Sequence, residues 1–121
     1  VTILPDTPAT RHILNATRLA QLPPGASVIN PGRGSLIDEQ ALLKALGTEQ
    51  QPGHLRGALL DVFHEEPLPA NHPLWQHPRV IVTPHMAAPT PLNDAIDQVI
   101  SYLHAFDAGE PLATVNPEAG Y

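Results

Sequence analysis

The chain has 121 residues, with twelve Asp and Glu against six Lys and Arg, so its net charge is −6 with the seven His neutral. That balance excludes a general phosphate-backbone binder, which needs clustered cations. One Trp, two Tyr and two Phe are too few for a base-stacking platform, and no apolar run approaches the roughly 20 residues that span a bilayer. Zero cysteines exclude disulfides and thiolate zinc sites and fit a reducing, cytoplasmic compartment.

Charged residues make up 15% of the chain and Pro occurs fifteen times, against typical levels of about 25% and about six. The prolines separate apolar runs rather than forming tracts, which points to a folded α/β domain rather than disorder. In chain order, Val1-Thr2-Ile3-Leu4 is a strand-like run closed by Pro5-Asp6. It starts without a lead-in, and a mid-sheet strand lacking its neighbour would expose an apolar edge. The expectation is therefore the C-terminal part of a longer protein. Asn15 or Thr17 is placed to cap a short helix through Leu22, stopped by Pro23-Pro24-Gly25. Ser27–Asn30 is a second run. Asp38 then caps a helix whose Leu42, Leu43 and Leu46 form an apolar stripe ending at Gly47. Gly57–Val62 and Val80–Thr83 are the third and fourth runs, and continuous apolar runs suit strands covered on both faces of a parallel sheet.

The longest helical pattern runs from Leu92 to Phe106, with Ala95, Ile96, Val99, Ile100, Leu103 and Phe106 at spacings of three and four. It is expected to pack on the sheet. Alternation of strands and helices implies an α/β fold with right-handed crossovers. The expected division is residues 1–90 as a nucleotide-domain half, 91–108 as a long helix and 109–121 as a tail.

Ligands of open α/β sheets bind beyond the carboxyl ends of the strands. After the second run, Gly32 and Gly34 flank Arg33, either presenting a guanidinium to a ligand or making an ordinary turn. Asp61 closes the third run, where a carboxylate must find a partner, in a helix N-terminus or a ligand amide. Glu65 and Glu66 follow as catalytic acids or solvated charges. After the fourth run, His85 sits between Pro84 and small residues as an acid/base or a structural histidine. Arg, carboxylate and imidazole at successive strand ends would converge on one crevice.

Leu4-Pro5-Asp6-Thr7-Pro8-Ala9-Thr10-Arg11, Asn30-Pro31-Gly32-Arg33-Gly34-Ser35-Leu36-Ile37-Asp38-Glu39, Leu60-Asp61-Val62-Phe63 with Glu66-Pro67-Leu68-Pro69, and Thr83-Pro84-His85 occur in that order. Together they resemble the D-isomer-specific 2-hydroxyacid dehydrogenases. Leu74-Trp75-Gln76-His77-Pro78-Arg79 and the closing Gly120-Tyr121 are similar to the glyoxylate/hydroxypyruvate reductase A subgroup. The resemblance implies the C-terminal half of a Rossmann-type doubly wound parallel sheet of about four strands. The long helix then returns to a substrate domain lying outside this sequence. It implies an oxidoreductase that reduces a small 2-oxo acid to the D-2-hydroxy acid, as a homodimer, with NADP or NAD and a preference for NADPH.

By the same resemblance Arg33 grips the 2-oxo acid, Glu66 (rather than Glu65) pairs with His85, and His85 is the acid/base. Asp61 orients the nicotinamide carboxamide. Leu4, Pro5 and Thr10 line ribose and phosphates, and Pro31, Gly32 and Ala87 lie near the nicotinamide. Arg33 and His85 thus also belong to the cofactor rim. Pro31-Gly32 departs mildly from the family pattern, and Gly47–Arg56 is longer than expected, at the end of the sheet away from the site. No G-x-G-x-x-G occurs, so the fragment alone is not expected to bind dinucleotide well or to turn over. The same chemistry on another 2-hydroxy acid, such as lactate or phosphoglycerate, is an alternative that this sequence does not rank, and two rivals of other kinds stand beside it. One is a metal site among His64, Glu65, Glu66, His72, His77 and His85, which lacks any H-x-x-x-H or H-E-x-x-H spacing. The other is a non-catalytic dinucleotide-binding interaction protein of the same fold.

Overall fold

The computed structural model describes residues 1–112 and 116. The chain divides into two compact units, Val1–Ala87 and Ala88–Tyr121. In the first, strands β1 (Ser27–Asn30), β2 (Gly57–Leu60) and β3 (Val80–Val82) form a parallel sheet in the order β1-β2-β3. Helix α1 (Ala16–Ala20) precedes β1, and α2 (Glu39–Leu46) connects β1 to β2. Asn15, not Thr17, caps α1, its side chain accepting from the Arg18 N–H, and Asp38 caps α2 by accepting from the Ala41 N–H. Gly47 ends α2 at φ 74°, a conformation glycine adopts without side-chain penalty.

The sheet has three strands rather than four. Val1–Leu4 runs beside β1 but makes only one backbone bond to it, Thr2 N–H to the Ile29 carbonyl at 2.9 Å. In a parallel ladder the return bond to the Thr2 carbonyl would come from residue 31. That residue is Pro31, which has no N–H to give.

Alternate residues of the strands face a core. Val28, Ala58 and Leu60 are buried with Leu19, Leu36, Leu42, Leu46, Leu55 and Leu74. Ile29 and Ile81, on the opposite face, are exposed, so the two-sided cover expected of these runs is absent within Val1–Ala87. The segment Gly47–Arg56 is not a free surface loop either. Leu55 is fully buried, the His54 ring meets the Leu19 carbonyl at 3.0 Å, and the His77 ring meets the Gly47 carbonyl at 2.8 Å. Gly53 lies so close to Ala45 that a Cβ there would sit 2.1 Å from the Ala45 carbonyl oxygen.

In the second unit, α3 (Leu92–Asp107) forms where its period predicts, with Asp94 in the first turn. None of its residues is buried, and Phe106 is 71% exposed. Among the described residues of its own unit, no second helix or strand covers its apolar stripe. Most of the expected tail, including Gly120-Tyr121, lies outside the described residues. No helix among the described residues is long and apolar enough to cross a membrane.

Leu42 is fully buried and central to the α2 stripe. Leu42→Ala is expected to destabilise by about 2–5 kcal/mol, and Asp38→Ala by about 1 kcal/mol through loss of the cap, both read by urea denaturation. A Leu42→Ala loss below about 1 kcal/mol would contradict a core organised on α2.

Candidate active site

At the end of β1 the buried Asn30 side chain builds the turn that follows. Its Nδ2 donates to the Arg33 carbonyl at 2.9 Å, while its Oδ1 accepts from the Gly32 N–H at 3.2 Å and the Thr2 hydroxyl at 2.8 Å. The turn leaves Arg33 exposed, its guanidinium donating to the Gly32 carbonyl at 2.8 Å. Gly34 is demanded by the neighbouring strand end. A Cβ there would lie 1.9 Å from the Phe63 carbonyl carbon and oxygen, so any larger residue would separate the Arg33 segment from Phe63–His64.

Just beyond β2, Asp61 is 1% exposed. Its Oδ1 accepts from the Thr83 hydroxyl and from the Met86 N–H at 3.0 Å, and its Oδ2 accepts from the Ala87 N–H at 2.9 Å. Burial alone would push this carboxyl up. The Met86 N–H, Thr83 hydroxyl and Ala87 N–H outweigh burial and, with the nearby His85, hold it below the ordinary 3.8. Asp61 thus clasps the segment on both sides of His85, whose φ of 51° lies in the left-handed region that non-glycine residues rarely occupy.

The His85 Nδ1 meets Glu66 Oε2 at 2.8 Å, and Glu66 Oε1 accepts from the Phe63 N–H at 2.9 Å. For Glu66, burial again raises the pKa. The hydrogen bond from His85, the Phe63 N–H and the His85 charge outweigh it, against a smaller upward push from Asp61, and the carboxyl falls below the ordinary 4.5. Arg33, Glu66 and His85 line one cavity of about 260 Å³, joined by Asp6, Ser35 and His64. An apolar cavity of about 470 Å³, walled by Phe63, Pro67, Leu68, Trp75 and Pro84, abuts the same Glu66 and His85. The three strand-end groups therefore meet, while Glu65 has no place in either cavity's lining.

The expected cofactor residues divide into two sets. Leu4 and Ala87 are exposed and Pro5, Pro31 and Gly32 partly so. Gly32 packs on Thr2–Ile3, where a Cβ would meet the Thr2 carbonyl oxygen at 2.9 Å. That packing puts the Leu4-Pro5 segment next to the Arg33 turn. Thr10 and Asp61 are engaged in hydrogen bonds within the chain. The Thr10 hydroxyl donates to the Pro5 carbonyl at 2.6 Å, closing the turn from Pro5 to Thr10. The partners of the Asp61 carboxylate are the Thr83 hydroxyl and the Met86 and Ala87 N–H groups.

The roles of Asn30 and Thr83 were missed in the sequence. The signal was available: each is a hydrogen-bonding residue at the end of an apolar strand, where it must find partners. Among the described residues no three His, Asp or Glu side chains converge to hold a metal ion.

Both carboxyls titrate lower when folded, so each contributes stability that is present above its ordinary value and lost as pH falls through its folded value. Asp61→Asn is expected to cost about 2–3 kcal/mol at neutral pH, because the Met86 and Ala87 N–H groups lose a charged acceptor. The gap to the unmutated chain should narrow below about pH 4. A gap that stays constant on acidification would contradict the clasp.

The sequence pattern of the D-isomer specific 2-hydroxyacid dehydrogenase NAD binding domain matches residues 1–87. The glyoxylate/hydroxypyruvate reductase A of Yersinia enterocolitica is 45% identical over all of this chain, which spans 38% of that relative's length. A D-isomer specific 2-hydroxyacid dehydrogenase of Xanthobacter autotrophicus Py2, solved with NADPH and MES, superposes with a TM-score of 0.86 at 46% identity, covering 98% of this chain and 48% of that one. The NADPH-dependent glyoxylate/hydroxypyruvate reductase of Sinorhizobium meliloti, solved with NADP and sulfate, gives 0.83 at 38% identity, covering 98% of this chain and 38% of that one. With the fold and four motifs in agreement, the chain belongs to the D-isomer specific 2-hydroxyacid dehydrogenase family, its residues 1–87 matching the NAD-binding domain.

Proposed function

We propose that this chain forms the catalytic rim of an NADPH-preferring reductase that converts a small 2-oxo acid, glyoxylate or hydroxypyruvate, to the D-2-hydroxy acid. The observation that carries this reading is the 2.8 Å contact of Glu66 with His85 Nδ1 in a cavity shared with Arg33. The relatives' names and the NADPH and NADP in their structures support the substrate and cofactor. In this reading residues 1–90 are the nucleotide-domain half, 91–108 the helix leading to the substrate domain and 109–121 a tail. The enzyme is a cytoplasmic homodimer.

The Arg33 guanidinium suits the carboxylate beside the reacting carbonyl, because its planar fork binds two oxygens at once. It also stabilises the negative charge that develops on the carbonyl oxygen. The dinucleotide, held along Leu4, Pro5, Pro31, Gly32 and Ala87, supplies the hydride that C2 gains. The oxygen takes a proton from His85. Nδ1 is committed to Glu66, so Nε2 is the nitrogen that delivers it, and the Glu66 carboxylate fixes the ring's orientation. Asp61 holds the loop that carries His85 and orients the nicotinamide carboxamide.

The test is NADPH oxidation by the full-length protein with glyoxylate or hydroxypyruvate. His85→Ala is expected to lower kcat by about 10²–10⁴-fold, whereas Arg33→Ala should raise KM and lower kcat together. Near-unchanged turnover in His85→Ala would overturn the assignment. Cofactor binding without oxidation would favour a non-catalytic binding protein instead.

A further inference from the structure

We propose that Glu39 is a positioning residue for this site, holding the turn that carries Glu66 in register with His85. The inference rests on the role given above to the Glu66–His85 pair. Glu39 opens α2, immediately after its cap Asp38. An acid in a first turn is ordinarily explained by the helix dipole, which it satisfies equally well facing water. Here the side chain is only 15% exposed and reaches across to a different strand end. Its Oε1 accepts from the His64 N–H at 2.9 Å, a partner 25 residues away. Its Oε2 lies 3.5 Å from His72 Nε2. The His72 Nδ1 accepts from the Leu74 N–H at 3.3 Å, so in the neutral ring the hydrogen sits on Nε2, facing Glu39.

One carboxylate therefore ties the start of α2 to both sides of the loop between His64 and His72. Phe63 and His64 offer consecutive N–H groups, the first to Glu66 and the second to Glu39. The peptide between them also abuts Gly34, next to Arg33. It is the point where the segment bearing Arg33 and the segment bearing Glu66 lock together. Glu39 contacts no group assigned to the reaction; it acts through the His64 amide. Without it, the His64 N–H loses its acceptor, and the Phe63–His64 segment that sets Glu66 opposite His85 is held less tightly.

The experiment pairs kinetics with a direct reading of Glu66 in the full-length protein, comparing Glu39→Ala with Glu39→Gln. Glu39→Ala should lower kcat about tenfold, the scale of a misplacement under 1 Å, with KM for the 2-oxo acid within about twofold. It should also raise the midpoint of the Glu66 carboxyl in a ¹³C NMR titration, as the His85 and Phe63 bonds weaken. Glu39→Gln keeps an oxygen acceptor for the His64 N–H and should restore most of both. If Glu39→Ala leaves kcat and the Glu66 midpoint unchanged, the inference fails. It fails too if Ala and Gln lower activity equally, in step with Tm and with an unmoved Glu66 midpoint. Should the unmutated protein reduce no 2-oxo acid, the functional reading fails, and the Glu66 titration alone still decides the role of Glu39.

Discussion

A buried carboxylate at the end of β2 is the constraint on which the candidate site depends. Asp61 sits where water cannot solvate its charge, so folding must supply donors, and it takes them from Thr83, Met86 and Ala87. Those residues belong to the segment after β3, so satisfying one charge fixes a loop from a neighbouring strand. His85 lies between the donors at a backbone conformation it would rarely adopt alone. The hydrogen bonds that neutralise the burial cost thus also determine where the imidazole stands.

Similar logic operates at the other two strand ends. Asn30 is as buried as Asp61 and turns its amide to the Gly32 N–H and the Arg33 carbonyl, shaping the segment that presents the guanidinium. Glu66 takes the Phe63 N–H on one oxygen and the imidazole on the other. Parallel strands deliver all their carboxyl ends to the same side of the sheet, so three polar turns come together without a dedicated scaffold. Their side chains are then positioned by hydrogen bonds within and between the turns.

Much of this was legible in the sequence, because the signals were local. Asp38 before the Leu42–Leu46 stripe marks a capped helix, and Gly47 marks its end. The apolar runs at Val28, Leu59 and Ile81 mark strands, and Arg33, Glu66 and His85 stand at strand ends, where side chains can share a cavity. Pairwise geometry was not legible. Val1–Leu4 has a strand's composition, yet its ladder fails at a proline in the partner segment, a fact about register rather than about the run itself. Asp61 needed a partner by elementary energetics, but which one depended on how the segment after β3 folds back. The segment Gly47–Arg56 looked like surface padding because His54 and Leu55 give no sign in sequence of entering the core. The period of α3 predicted a helix, but periodicity carries no information on what covers its apolar stripe.

The most direct measurement is a crystal structure of the full-length protein with oxamate, a carboxylate–amide mimic of a 2-oxo acid. The account predicts one oxamate bridging the site, its carboxylate on the Arg33 guanidinium and its amide oxygen at His85 Nε2, with Glu66 still on Nδ1 and Asp61 still on the Met86 and Ala87 amides. Oxamate bound away from Arg33, or an imidazole separated from Glu66, would contradict it.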